Sequence, residues 1–167
     1  MAQPQGLTLI AGRYTVTWNA VALGVLESNG STDPALELSY LSEPVNQTDL
    51  WGDADLDHLI RGSQAFCQLI CKEYKTGSIG AAWPFGTPAI AAPVGVYMGA
   101  NYAQALVLTA ISGTTASASP ATVTATYACL APNTPLHLLY GPTLRKVPIR
   151  WQLLPYTSSG DRHWSQT

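Results

Sequence analysis

Along much of the chain, apolar and polar residues alternate with a period of two, which is typical of strands that bury one face. The alternation is clear at residues 13–18 and resumes at 21–25 after Asn19-Ala20, so we expect a β-hairpin there. A turn at 28–34 precedes another alternating segment at 36–40, and Pro44 should end that strand or place it at a sheet edge. Further strands are predicted at 63–75, 104–111, 121–130 and 147–154.

A single segment, residues 53–62, shows the spacing of a helix instead. Leu56, Leu59 and Ile60 would form one apolar stripe, and Gly62 would end the helix, which should lie on a sheet. Three carboxylates crowd its start, where they would face the positive end of the helix dipole: Asp53, Asp55 and Asp57. The pattern therefore predicts a mainly β protein with one short flanking α-helix.

Two segments lack a regular pattern. Residues 76–102, which we call the arm, carry several prolines and glycines, and so long a loop in a compact domain is usually functional or docked on another molecule. The aromatic residues of the arm favour docking on a second subunit: Trp83, Phe85 and Tyr97. The C-terminal segment, residues 157–167, is polar except for Trp164, which should anchor it to a neighbouring subunit or leave it frayed.

The charge distribution points to subunit contacts. The 167 residues suit one domain, 1–167, and only 11% of them are charged, against about 25% in typical soluble domains. Residues 76–144 contain no Asp, Glu, Lys or Arg, and the cores of protein interfaces are similarly depleted in charge. The basic residues that follow are predicted to pair with acids of a neighbouring subunit: Arg145, Lys146 and Arg150.

Several classes of protein are disfavoured. The net charge of −2 argues against a nucleic-acid-binding protein, which needs a basic face for phosphates. No apolar run reaches the roughly 18 residues of a membrane span, and no basic region precedes the first apolar run, so we expect neither membrane insertion nor a signal peptide. Cys67, Cys71 and Cys129 are expected to be reduced, buried thiols. Cys67 and Cys71 would lie about 13 Å apart along one strand, too far for a disulfide.

The sequence offers little catalytic chemistry. The D-x-D-x-D pattern at 53–57 begins like an EF-hand loop, but His58 and Gln64 occupy the positions that need Gly and Glu. Asp55 and His58 could act as orienter and base, yet no nucleophile motif accompanies them, and Gly62-Ser63 lacks the G-x-S-x-G frame. We therefore expect no enzymatic activity, no metal and no cofactor.

Three segments resemble the tail tube (major tail) proteins of tailed bacteriophages. They are the R-Y-x-V-x-W-N-A-x-x-L-G hairpin at 13–24, the D-x-x-G-D-x-x-L-D-x-x-x-x-G segment at 49–62, and Y-G-P-T-L-R-K-V-P-I-R-W-Q-L-L-P at 140–155. Residues 76–131 contain no motif of this family and resemble it only in their strand-like composition.

The resemblance implies a β-sandwich or barrel-like tail tube fold and a structural virion protein without chemistry of its own. Such subunits join into hexameric rings, and the rings stack as the phage tail tube through which the genome is ejected. The partners would be copies of the chain and other tail proteins, namely terminator, baseplate or tip, and tape measure, with a sheath in contractile tails. Viral DNA would pass without specific binding, so Asp53, Asp55 and Asp57 become candidates for the channel wall. The protein would be made in the host cytoplasm and reside in the virion.

Other functions remain open from the sequence. The same scaffold occurs in tail terminators and tail completion proteins. A virion decoration or receptor-binding β-domain is the alternative from a different class, and it would form closed trimers or bind as single copies. An enzyme would require acids or histidines that converge in a pocket.

Overall fold

A computed structural model describes residues 13–25, 35–47, 54–71, 83, 97, 99, 102–113, 120–133, 135, 147–156 and 162–167. Eight strands account for most of them: β1 (Tyr14–Trp18), β2 (Val21–Val25), β3 (Ala35–Gln47), β4 (Ala54–Cys71), β5 (Gln104–Ala110), β6 (Thr122–Leu130), β7 (Val147–Leu154) and β8 (Ser165–Gln166). The mainly β fold class is confirmed. The described part of the chain contains no helix long and apolar enough to cross a membrane.

All strand pairs are antiparallel and belong to one sheet with the order β2-β1-β5-β6-β7-β4-β3. The last short strand, β8, pairs with β6 beyond the end of β7, so the C-terminal residues continue the line of β7 along the same neighbour. A bridge between Tyr156 and Arg162 closes the base of the connection between β7 and β8. The sheet thus contains three pairs of consecutive strands, β1–β2, β5–β6 and β3–β4. Strand β7 lies between β6 and β4 and joins the first two pairs to the third.

The sheet curls strongly around its buried face. A flat sheet with strands about 4.8 Å apart would hold β2 and β4, five positions apart, at roughly 24 Å. Instead their Cα atoms approach to within 8 Å. The core lies inside this curl and consists mainly of alternate residues of β1, β4, β5, β6 and β7: Val16, Trp18, Ala65, Cys67, Leu69, Leu106, Leu108, Val123, Ala125, Val147, Ile149, Trp151 and Leu153. A sandwich or barrel-like closure remains a prediction.

The first hairpin matches the sequence pattern closely. Asn19 and Ala20 connect β1 to β2 with φ values of 51° and 60°, as a two-residue type I′ turn requires. The turn twists in the direction of the strands, and the Asn19 amide donates to the Ala105 carbonyl of the neighbouring strand β5 at 3.0 Å. The predicted strands at 104–111, 121–130 and 147–154 are also confirmed, with β7 running through Pro148.

The predicted helix is wrong. Residues 54–62 belong to β4, which pairs with β3 over its whole length. Leu59 and Ile60, the supposed buried stripe, are half or more exposed, and Gly62 lies beside a β-bulge at Leu41/Ser42 instead of ending a helix. A helix of ten residues is marginal alone, whereas the 13-residue strand β3 supplies backbone hydrogen-bond partners along one edge of this segment. Asp53 and the predicted turn at Trp51-Gly52 lie outside the described residues.

Pro44 does not end β3, which continues to Gln47, but the alternative expectation is correct: β3 is an edge strand of the described sheet. An edge strand tolerates proline, because only the side that faces the sheet needs backbone N–H donors and the other side faces solvent. The C-terminal segment does not fray where it is described. Thr167 and Thr122 exchange two backbone hydrogen bonds of 3.0 Å, and Trp164 packs against the core of its own chain.

Candidate assembly surface

The β3–β4 hairpin extends well beyond the rest of the sheet. β4 pairs with β7 only from Ala65 to Cys71, so residues 54–64 and their partners 39–47 form a two-stranded segment, which we call the ribbon. Within the described chain, the ribbon pairs with no further strand. A ribbon of this kind has two open edges and two faces that no other strand covers.

The ribbon is unusually apolar for an exposed element. Its exposed large hydrophobic residues include Tyr40 at 66%, Leu41 at 61% and Ile60 at 69%, together with Val45 and Leu59. Leu38, one pair closer to the core, is also exposed. Single exposed apolar residues are ordinary, but a group of them on one projecting element marks an interaction surface. Period-two alternation at 36–40 was visible in the sequence, but the exposure of these residues was not.

Four charged residues lie on the ribbon, and two of them pair with each other. Glu43 and Arg61 form an ion pair between the two strands, and both side chains are more than half exposed. Asp57 is exposed, and its Oδ1 accepts a hydrogen bond of 2.7 Å from the His58 amide. Asp55 lies opposite Asn46 in the ladder. Of the three aspartates predicted to face a channel, two therefore lie on the ribbon.

Arg150 has a partner within its own chain. Its Nε and Nη2 donate to Glu37 Oε2 at 3.1 and 2.7 Å, and its guanidinium lies 4.1 Å from the centre of the Phe66 ring. The three residues come from β7, β3 and β4, so the cluster fastens the base of the hairpin to the sheet. The contact of Arg150 with another subunit stays a prediction, and two of its three guanidinium nitrogens are hydrogen-bonded within its own chain.

The remaining predicted contact residues are scattered or undescribed. In the arm, Tyr97 is 83% exposed and Trp83 is partly exposed, whereas Phe85 lies outside the described residues, as do Arg145 and Lys146. Trp164 is half-buried on its own core.

A groove of about 420 Å³ opens where the ribbon meets the C-terminal segment. It is lined by Leu38, Ser39, Tyr40, Ser63, Gln64, Arg162, His163 and Trp164. Within it, Ser63 Oγ lies 2.8 Å from His163 Nε2, and His163 Nδ1 lies 2.7 Å from the Leu153 carbonyl oxygen. Sequence reasoning missed this pair, because the two residues are 100 positions apart and neither belongs to a recognisable motif.

The described residues contain no group of three or more His, Cys, Asp or Glu side chains that could hold a metal ion. Cys67 and Cys129 are buried thiols, as predicted. Burial raises the pKa of the Cys129 thiol above its ordinary value of 9.0, because the apolar surroundings disfavour the thiolate. Both cysteines are therefore core residues.

No protein-family model matches the chain, and no curated protein matches it either.

Proposed function

We propose that this chain is a structural virion protein that self-assembles into hexameric rings, stacked as the tail tube of a bacteriophage, with a central channel for genome ejection. The observation that carries the proposal is the ribbon, which holds Tyr40, Leu41 and Ile60 in solvent on an element with open strand edges. An isolated monomer gains nothing from such an element, since exposed apolar edges promote uncontrolled pairing. In a ring or a stack of rings, a neighbouring copy would cover it.

The sheet itself supports the same proposal. Its two end strands, β2 and β3, each pair on one side only among the described residues. Edges of this kind in neighbouring copies can pair with each other, which would join the sheets of a closed ring and remove the open edges. In the family that the sequence resembles, each subunit has a sandwich or barrel-like fold. The inner sheets of neighbouring subunits merge to form the channel wall.

Contact between rings requires a surface that differs from the one it meets. Head-to-tail contacts of this heterologous type produce open filaments, whereas self-complementary surfaces produce closed dimers. The ribbon projects from one side of the curled sheet, and it carries the apolar groups that a second ring would bury. The uncharged stretch 76–144 would be covered partly by the core, through β5 and β6, and partly by such contacts.

Negative-stain electron microscopy of the purified full chain at high concentration tests the proposal. We expect hollow filaments with a regular axial repeat, or six-fold rings. Closed trimers or single copies would instead favour a virion decoration or receptor-binding domain. Rings that never stack would favour a tail terminator or completion protein of the same fold.

One substitution tests the ribbon directly. Ile60→Asp places a carboxylate on the most exposed apolar side chain of the ribbon, so filaments should be lost, because burying an unpaired charge costs several kcal/mol, on the order of 3 to 5. The subunit should remain folded, since the position is exposed. Gln68→Asp, on an exposed position of the same strand β4 but outside the ribbon, is the matched control and should assemble. Normal filaments from Ile60→Asp would show that the ribbon is not the interface.

A further inference from the structure

The contact between Ser63 and His163 has a defined direction of hydrogen bonding. The Leu153 carbonyl oxygen can only accept, so the proton of the neutral imidazole lies on Nδ1, which donates to Leu153. The other nitrogen, Nε2, is then an acceptor, and the Ser63 hydroxyl donates to it at 2.8 Å. The ring is thus held in the tautomer that a general base needs.

We propose that Ser63 and His163 form a nucleophilic dyad that reacts with small activated esters. A serine hydroxyl becomes an effective nucleophile when an adjacent base can take its proton and a third group orients that base. Here His163 is the base, and the Leu153 carbonyl is the positioning group. This activity goes beyond the structural role and does not depend on it, because the dyad is complete within one chain.

The position of the dyad gives reagents access to it. Ser63 is exposed at the base of the ribbon, and the groove beside it is open and has a volume of about 420 Å³. Leu38, Tyr40 and Trp164 supply apolar lining, which suits a small aliphatic or aromatic acyl group. The class is limited to activated esters, because an uncharged carbonyl stabilises the imidazolium less than the carboxylate of a full triad.

The reaction balances without a cofactor. Ser63 Oγ forms a bond to the ester carbonyl carbon while its proton passes to His163 Nε2. The bond between that carbon and the leaving oxygen breaks, and the leaving alcohol takes the proton from Nε2. Water then attacks the acyl-serine with the same base, releasing the carboxylic acid and restoring the hydroxyl.

A fluorophosphonate probe traps the first step, because Ser63 Oγ displaces fluoride from phosphorus and the adduct does not hydrolyse readily. The full-length protein would be labelled over a time course and each serine quantified by peptide mass spectrometry. Ser39 lines the same groove and is also exposed, so it serves as an internal reference. We expect Ser63 to be labelled about 100-fold faster or more, the usual range for general-base assistance.

Two variants separate activation from mere exposure. His163→Gln keeps an amide that can hydrogen-bond to Ser63 but cannot take a proton, so labelling should fall about 100-fold. Ser42→Ala, at an exposed position outside the groove, should leave the rate at Ser63 unchanged.

Equal labelling of Ser63 and Ser39 in the wild-type protein would overturn the proposal, and this comparison needs no variant to fold. An undiminished rate in a folded His163→Gln protein would overturn it as well, since the contact would then only fasten the C-terminal segment to β4. The denaturation midpoint of each variant shows whether it is folded.

Discussion

Trp18 stacks on Trp151 in the core, with ring centres 5.3 Å apart and planes inclined by 26°. The two residues lie on β1 and β7, which β5 and β6 separate in the sheet. Trp18 also donates its Nε1 hydrogen to the Ala128 carbonyl of β6 at 3.0 Å. The pair therefore spans the curl of the sheet and holds strands together that are not neighbours.

The hydrogen bond of Trp18 makes the two tryptophans unequal. Trp151 Nε1 is buried without a partner among the residues that the structure describes. Trp18→Phe and Trp151→Phe both replace an indole by a phenyl ring, but only Trp18→Phe removes a hydrogen bond. Trp18→Phe should therefore destabilise the protein by about 1 kcal/mol more than Trp151→Phe. Urea denaturation of both variants measures the difference. Equal midpoints would show that the bond to Ala128 contributes nothing.

The turn between β1 and β2 offers a stabilising substitution. Ala20 has a φ of 60°, a left-handed conformation that costs an L-residue about 1–2 kcal/mol and costs glycine almost nothing. Because glycine also loses more entropy on folding, Ala20→Gly should raise the free energy of unfolding by a net ~0.5 to 1 kcal/mol. Ala22→Gly, two residues later in β2, is the control and should lower it by roughly 0.5–1 kcal/mol. Thermal denaturation that moved both variants in the same direction would contradict this account of the turn.

Two Arg–Glu pairs that both involve a glutamate of β3 should differ in strength. Arg150 donates twice to Glu37 and lies over Phe66, whereas the Arg61–Glu43 pair is the more exposed. Arg150→Lys should cost about 1 kcal/mol, since an ammonium lacks the planar fork and the stacking surface. Arg61→Lys should cost less than about 0.5 kcal/mol, as exposed pairs do. Chemical denaturation in low salt compares them, and a larger loss from Arg61→Lys would reverse the assignment.

Burial of the Cys129 thiol predicts a loss of stability in alkali. The pKa of this thiol is raised in the folded protein, so above about pH 9 the unfolded chain has released the proton that the folded chain still holds. The free energy of unfolding therefore falls as pH rises from 9.0 through the higher folded value. Cys129→Ala should show a shallower decline across that range. Parallel curves for the two proteins, measured by urea denaturation at several pH values, would show that Cys129 does not contribute.

Local patterns predicted much of the sheet, because alternation and turn chemistry act over a few residues. Asn19-Ala20 and the segments at 104–111, 121–130 and 147–154 all behave as their sequences indicate. The segment 54–62 does not, because its backbone is satisfied by β3, whose pairing depends on the whole hairpin. The groove could not be foreseen either. Ser63 and His163 meet only because β8 follows β7 along β6, a relationship that no local pattern contains.

The sheet order also sets the sequence of events in folding. The hairpins β1–β2, β3–β4 and β5–β6 join neighbouring segments and can form as each emerges, but Thr15 must find Thr109 across 94 residues. Non-local pairings of this kind slow folding to the millisecond-to-second range. β7 is the only described strand that pairs with both β6 and β4, so the β3–β4 hairpin has no sheet to join until residues 147–154 have been synthesised. The core is therefore completed only after the apolar ribbon has already been made.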